Sequence, residues 1–380
     1  MKKSLIAYII VAVIVVLHLI AFCMLKRSAA PEKPVEENPP AQEQTASGTP
    51  SAQPPASPSG VPGKSASTNP PPSVPAPAAP ATPAPQVPAT AGMPGPYYNG
   101  FFKVGEKALP DKLKRTVAPV RSGLVIDLDT NTILWQKDAA VVHPIASLTK
   151  LLTALMLMEH FEAHPDQSLK TQITITAADR KYFKNHSING VYLDANEKYS
   201  LDEMLMCMMV ASSNDCAYVV GEYLAGGDAE KFPAMMNARA KALGLNDMKF
   251  NNANGLPVNA SSGRLENTGS ALDIAYLGVR AMRYPGIMKW AGTTSGRLRA
   301  DKKNPFDVNS TNHLLRGKVP GVTGLKTGYT DGAGYCIVVT CERNNKKRMV
   351  VAMGVNANGT DRGKLRDEIV KQLLEWSYTL

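Results

Sequence analysis

No two of the five cysteines in this 380-residue chain are spaced as C-x-x-C, so paired-thiol and zinc-finger chemistry have no foothold. Cys23 lies in the apolar start. Of the other four, Cys336 and Cys341 fall five apart on a predicted strand, hence on opposite faces, and buried free thiols are expected. The H-E-x-x-H of zinc peptidases is missing too: His160-Phe161-Glu162-Ala163-His164 has its glutamate one place off. Two exposed histidines at a helix end are expected there, and no metal. A formal charge of +10 comes without helix-turn-helix pattern or aromatic-basic interleaving, which argues against nucleic acid as a partner; a solvated basic face is the plain reading. Large apolar residues all but vanish between Val35 and Pro96, so no core forms there.

What is present divides the chain into three. Residues 1–27 hold a nearly unbroken apolar run, Leu5 to Leu25, long enough for the roughly 30 Å hydrocarbon core of a bilayer. Lys26 and Arg27 intervene before Ser28-Ala29-Ala30, so an uncleaved N-terminal helix anchoring the chain in a membrane is expected over a cleaved signal. Phe22 before Cys23 does not suit a lipid-modified cysteine. Lys2 and Lys3 on one side and Lys26 and Arg27 on the other leave orientation open. Residues 28–96 carry 20 of the 29 prolines and read as an extended, disordered stalk. The remainder, 97–380, is the globular part of a chain with 44% apolar residues.

Within it, Gly123–Leu128 and Thr132–Gln136 flank the turn Asp129-Thr130-Asn131 as a hairpin. Ser147–His160 is almost wholly apolar after Lys150 and predicts a central helix buried on all sides. Helices are also predicted over Leu201–Val210, Asp215–Leu224 and Ala229–Leu243, the last ended by Gly244. Gly334–Cys341 and Arg348–Val355 form a second hairpin about the turn Glu342–Lys347, and Arg362–Trp376 has helical apolar spacing. Strands at both ends enclose a helical middle.

Three short motifs carry chemistry. Ser147-Leu148-Thr149-Lys150 is the one S-x-x-K in the chain. At i and i+3 hydroxyl and amine share a helix face, and the first turn offers free N–H groups to developing negative charge; a serine N-cap with an exposed lysine is the bland alternative. S-x-N occurs four times, at Ser67-Thr68-Asn69, Ser187-Ile188-Asn189, Ser212-Ser213-Asn214 and Ser310-Thr311-Asn312. Only the third sits at a sharp junction between two apolar helices, where buried polar groups demand partners. Lys326-Thr327-Gly328 is a triplet expected by chance in roughly one such chain in ten.

At these residues the sequence resembles the serine D-alanyl-D-alanine carboxypeptidases, the low-molecular-mass penicillin-binding proteins, whose S-x-x-K, S-x-N and K-T-G recur here in order. Ala242-Leu243-Gly244-Leu245 and Gly334-Tyr335 extend the likeness, which runs from about Lys114 to Leu380. The resemblance implies an α+β fold: an antiparallel sheet flanked by helices, with a helical subdomain and the active site between them. It also implies a hydrolase that trims the terminal D-alanine from peptidoglycan stem peptides ending in D-Ala-D-Ala, is acylated by β-lactams and needs no cofactor. Ser147 would be the nucleophile and Lys150 its base, with a pKa lowered by burial and Lys326. Ser212 would relay a proton, Asn214 would hold the substrate amide and Lys150, and Lys326 with Thr327 would bind the terminal carboxylate. Backbone N–H groups of Ser147 and Tyr329 would form the oxyanion hole, and Gly328 would let the substrate backbone approach. Arg366 aligns with a family arginine that assists the carboxylate; Arg362 is its rival. Such substrates place the domain on the extracytoplasmic side of the membrane, with the N-terminus inside.

Two positions depart from the commoner pattern, Ser213 for glycine and Tyr329 for histidine; neither removes a reacting group. Alternatives remain within the resemblance and outside it: an endopeptidase of peptidoglycan cross-links, a β-lactamase, for which the E-x-x-L-N acid segment is missing, and a catalytically silent wall-binding module.

Overall fold

In a computed structural model the described residues are 100–186, 190–260, 263–300, 304–356 and 361–380. The expected membrane helix and stalk lie outside them. So does the second S-x-N, Ser187-Ile188-Asn189.

Six strands make the main sheet: β1 (Lys103–Val104), β2 (Ser122–Asp127), β3 (Thr132–Lys137), β4 (Val322–Thr330), β5 (Gly334–Arg343) and β6 (Lys346–Val355). Their order is β1-β3-β2-β6-β5-β4. Neighbours are antiparallel except β1, which runs parallel to β3 over two residues; the sheet is therefore mixed rather than purely antiparallel. Early and late parts of the described residues meet where β6 pairs with β2, and the segments between them, mostly helical, leave and return to the sheet. The β5–β6 hairpin turns on Asn344 and Asn345, with φ of 50° and 58°. Two left-handed residues make the tight turn that suits strand twist, so both strands run further into the expected Glu342–Lys347 turn than its polarity indicated.

Alternate strand residues serve opposite layers. Leu124, Ile126, Cys336, Val338, Met349 and Val351 join the core shared with four of the helices: α1 (Lys150–Ala163), α2 (Leu201–Val210), α3 (Asn214–Leu224) and α4 (Ala271–Ala281). Val125, Ile337, Val339, Cys341 and Val350 face a second layer built by α5 (Arg362–Ser377) and the short helix Asp111–Thr116. Cys336 and Cys341 thus lie on opposite faces, and Cys207, Cys216, Cys336 and Cys341 are buried free thiols.

The central helix α1 is buried all round from Lys150 to Leu155. It starts at Lys150 rather than Ser147, because Ala146–Thr149 forms a tighter 3-10 turn that Ala146 enters with φ of 47°. α2 matches its predicted bounds, and α3 begins one residue early because Ser213 caps it, its Oγ accepting from Cys216 N at 3.2 Å. The third predicted helix divides into a 3-10 turn and Phe232–Ala242. Helices Ala177–Asn185, α4 and Pro285–Ala291 were not anticipated. α4 was readable in principle, since Ser270 and Asp273 form a reciprocal capping box. His160 and His164 are half-buried rather than exposed, their rings stacked at 4.1 Å.

Leu151 in α1 is fully buried, whereas Val104 on the edge strand is 41% exposed. Leu151→Ala is expected to lower stability by about 2–5 kcal/mol. Val104→Ala should stay within about 0.5 kcal/mol. Denaturant unfolding of the two variants checks both.

Candidate active site

Three elements converge beside the N-terminal end of α1: the turn that carries Ser147, the α2–α3 junction and strand β4. Ala146 and Ser212 both have positive φ, 47° and 60°. For residues with a side chain that conformation costs about 1–3 kcal/mol and persists only where surrounding structure imposes it. One of these residues precedes the S-x-x-K serine; the other is the S-x-N serine itself.

Lys150 is fully buried, and its Nζ has three close partners: Ser147 Oγ at 2.8 Å, Asn214 Oδ1 at 2.7 Å and the Asn254 carbonyl at 2.6 Å. The amide and carbonyl oxygens can only accept. A neutral amine has two hydrogens and one lone pair, so two acceptors and one hydroxyl donor satisfy it completely. Burial first, then the charge of Lys326, pushes the Lys150 pKa well below the usual lysine range; Asp215 opposes this only in part. The lone pair then faces the Ser147 hydroxyl, the arrangement a general base requires.

Strand β4 supplies the opposite wall. Lys326 is 1% exposed and donates to Ser212 Oγ at 2.8 Å and to the Thr327 carbonyl at 2.9 Å. Burial, with Arg366 adding to it, brings its pKa down to about 7. A Cβ on Gly328 would come within 3.0 Å of Ser147 N and 3.2 Å of the Ile145 carbonyl, so the strand lies against the serine's own N–H only because that residue is glycine. Tyr329 is 46% exposed, donates to Asp331 Oδ1 at 2.9 Å and packs on Tyr335 at 4.4 Å between ring centroids. Arg366 is buried, and its guanidinium donates to Asp367 Oδ1 at 2.8 and 2.6 Å and to the Cys336 carbonyl at 3.3 Å. It acts on the site through its charge on Lys326. The side chain of its rival, Arg362, lies outside the described residues.

Sequence reasoning missed the supports. The run Asn251-Asn252-Ala253-Asn254-Gly255 passes under Ser147 and Lys150. Its Ala253 carbonyl accepts from Thr153 Oγ1 at 2.7 Å, and Asn267 Nδ2 bridges Thr149 Oγ1 at 3.0 Å and the Asn252 carbonyl at 2.9 Å. Gly255 has φ of 86°, and a Cβ there would fall 2.0 Å from the Ala146 carbonyl. Three asparagines and a glycine in five positions were a turn signal, though not a pointer to this lysine. Asp215 was also missed. Ser213 Oγ donates to it, and it accepts from Val191 N at 3.3 Å and Tyr192 N at 3.0 Å. It ties the 190–192 segment to the S-x-N junction, where a cavity of about 210 Å³ is lined by Gly190, Val191, Ala211, Ser212, Ser213 and Asn214. Thr311, in the fourth S-x-N, bonds Thr327 hydroxyl to hydroxyl at 2.6 Å. Among the described residues no group of three or more histidine, cysteine or acidic side chains is placed to hold a metal ion.

The family model described as D-alanyl-D-alanine carboxypeptidase matches residues 114–357, a span that contains all three motifs. A D-alanyl-D-alanine carboxypeptidase of Bacillus subtilis, DacF, is 30% identical over 261 residues, covering 68% of this chain and 62% of that protein. A D-alanyl-D-alanine endopeptidase of Escherichia coli is 30% identical over 253 residues, 64% of this chain and 75% of its own. The chain therefore spans less than two thirds of the Bacillus relative. Among solved structures, penicillin-binding protein D2 of Listeria monocytogenes in its ampicillin-bound form superposes with a TM-score of 0.55 at 25% identity, covering 68% of this chain and 96% of that one. With the S-x-x-K, S-x-N and K-T-G side chains gathered around one buried amine, and the family model spanning well over half its length, the chain belongs to the D-alanyl-D-alanine carboxypeptidase family.

Proposed function

We propose that the protein is a serine D,D-carboxypeptidase that removes the terminal D-alanine from peptidoglycan stem peptides through an acyl-enzyme on Ser147. The observation that carries this is the contact of the buried Lys150 amine with Ser147 Oγ, its other two partners being pure acceptors. Ser147 Oγ attacks the carbonyl of the penultimate D-alanine while its proton passes to Lys150. The N–H groups of Ser147 and Tyr329 face the oxyanion; a single donor of this kind is worth about 2.7–4 kcal/mol. Ser212, held by Lys326, hands its hydroxyl proton to the leaving amine and regains one from Lys150, and D-alanine departs. Water then attacks the ester, releasing the shortened peptide's carboxyl group and returning a proton to Ser147 Oγ. Lys326 and Thr327 take the substrate's terminal carboxylate, with Arg366 adding positive charge from behind, and Asn214 orients both the substrate amide and Lys150. A penicillin presents a strained amide and a carboxylate to the same groups and would acylate Ser147. Cross-link cleavage is the second reading, favoured by the Escherichia coli endopeptidase, of which the chain spans the larger share.

The domain is assigned to the extracytoplasmic side, where such peptides lie, with Leu5–Leu25 as a single membrane anchor and the proline-rich segment as spacer. No helix among the described residues is long and apolar enough to cross a membrane, and the apolar run lies outside them.

Two outcomes follow. Incubated with a labelled penicillin and with a D-Ala-D-Ala peptide, wild type should gain the mass of one adduct at Ser147 and release D-alanine, and Ser147→Ala should do neither; an adduct without released D-alanine moves the assignment to cross-linked peptides. The kcat/KM profile against pH should be bell-shaped. Lys150 must be neutral, so activity falls as pH drops through its lowered pKa. Lys326 must be charged to take a carboxylate, so kcat/KM also falls as pH rises past about 7, while in kcat, which reports the bound enzyme, that limb lies higher. Lys326→Arg, which keeps its proton, should retain the acid limb and lose the alkaline one.

A further inference from the structure

The fourth S-x-N, Ser310-Thr311-Asn312, has no part in the chemistry above, yet it stands against the carboxylate-binding strand. Thr311 Oγ1 lies 2.6 Å from Thr327 Oγ1, and the Thr311 N–H donates to the Val210 carbonyl at 3.0 Å, two residues before Ser212. Neighbouring bonds fix the segment: Ser310 N donates to the Thr294 carbonyl at 2.8 Å, Asn312 N to Ser310 Oγ at 3.2 Å, and Leu314 N to Asn312 Oδ1 at 3.1 Å. Thr327 is 5% exposed and Thr311 half-buried.

Between two hydroxyls at this distance only one proton lies along the line, and either oxygen can supply it. The two choices differ for an incoming carboxylate, which only accepts. If Thr327 donates to Thr311, it turns a lone pair to the anion. If Thr311 donates to Thr327, the Thr327 O–H is free to rotate onto the carboxylate. We infer that Thr311 is a positioning residue for the substrate carboxylate: it donates to Thr327 Oγ1 and leaves the Thr327 hydroxyl as a donor to the anion. Because Thr311 is anchored to the end of α2 and Thr327 sits on β4, the same bond holds the carboxylate subsite in register with the S-x-N serine. The inference rests on the D,D-peptidase reading, and its effect is selectivity for ligands ending in a free carboxylate.

A hydroxyl pair that only staples a loop to a strand would affect every ligand alike, so the test compares two ligands. Acylation of the full chain by a penicillin with a free carboxylate and by its methyl ester is followed by intact mass for wild type, Thr311→Val, Thr311→Ala and Thr311→Ser. Thermal unfolding of each protein is recorded alongside, and the alanine variant replaces the valine one if the latter fails to fold. Removing the hydroxyl should lower the acid-to-ester ratio of acylation rates by about tenfold or more, the size expected for a hydrogen bond to a charged group. Serine should restore the ratio. An unchanged ratio, with both rates falling together or neither moving, overturns the inference and leaves the D,D-peptidase reading intact. Absence of any adduct in wild type removes both.

Discussion

The amine of Lys150 sits where an ammonium ion is hard to keep. It is wholly buried and close to a second cation, Lys326, and desolvating a charge without a partner costs several kcal/mol. Asp215 is the acid that offsets this, and its carboxylate is already engaged by Ser213 and by the 191–192 backbone. A neutral amine resolves the conflict, with two hydrogens on Asn214 and the Asn254 carbonyl and its lone pair on Ser147. In the proposed mechanism it is this environment of the lysine, rather than a histidine and a carboxylate, that activates Ser147.

That environment is assembled from segments far apart in the chain, and the fold explains why they meet. Early and late strands join at the middle of the sheet through β2 and β6, so β4 lies one strand beyond β5 at the edge and its Lys326-Thr327-Gly328 comes against the turn before α1. The turn is short and left-handed at Ala146, and it tolerates two close approaches, one from Gly328 and one from Gly255. The α2–α3 junction, left-handed at Ser212, brings Asn214 to one lysine and Ser212 to the other. Strained residues gathered in this way are held in place by their surroundings, and here those surroundings are an asparagine-rich loop and a buried aspartate.

How far the sequence led depends on what kind of information each residue carries. Ser147, Lys150, Ser212, Asn214 and Lys326 were legible because their spacing places hydroxyl, amine and amide on known local geometries, and the structure brings all five together. The two hairpins and helices α1, α2, α3 and α5 were legible from apolar periodicity and turn residues. Other features depend on tertiary contact that no local window records. Nothing in the sequence pairs Asn254 with Lys150, 104 residues away, or Thr311 with Thr327. α4 carries its own local signals, a Ser270–Asp273 capping box and apolar residues at helical spacing, so its absence from the predicted helices was not forced by the sequence. The partners of Arg366, Asp367 and the Cys336 carbonyl, are set by how α5 docks on the back of the sheet, while its assistance to the substrate carboxylate is an implication of the family resemblance.

The charge state of Lys150 in the resting enzyme is the claim on which the mechanism stands. Lysine side chains labelled with nitrogen-15 can be titrated by NMR in wild type, with Lys150→Arg assigning the signal. Lys150 is expected to pass from ammonium to neutral amine well below the ordinary lysine value of about 10.4. A resonance that stays that of an ammonium through pH 9 would contradict it, and another group would have to take the proton from Ser147.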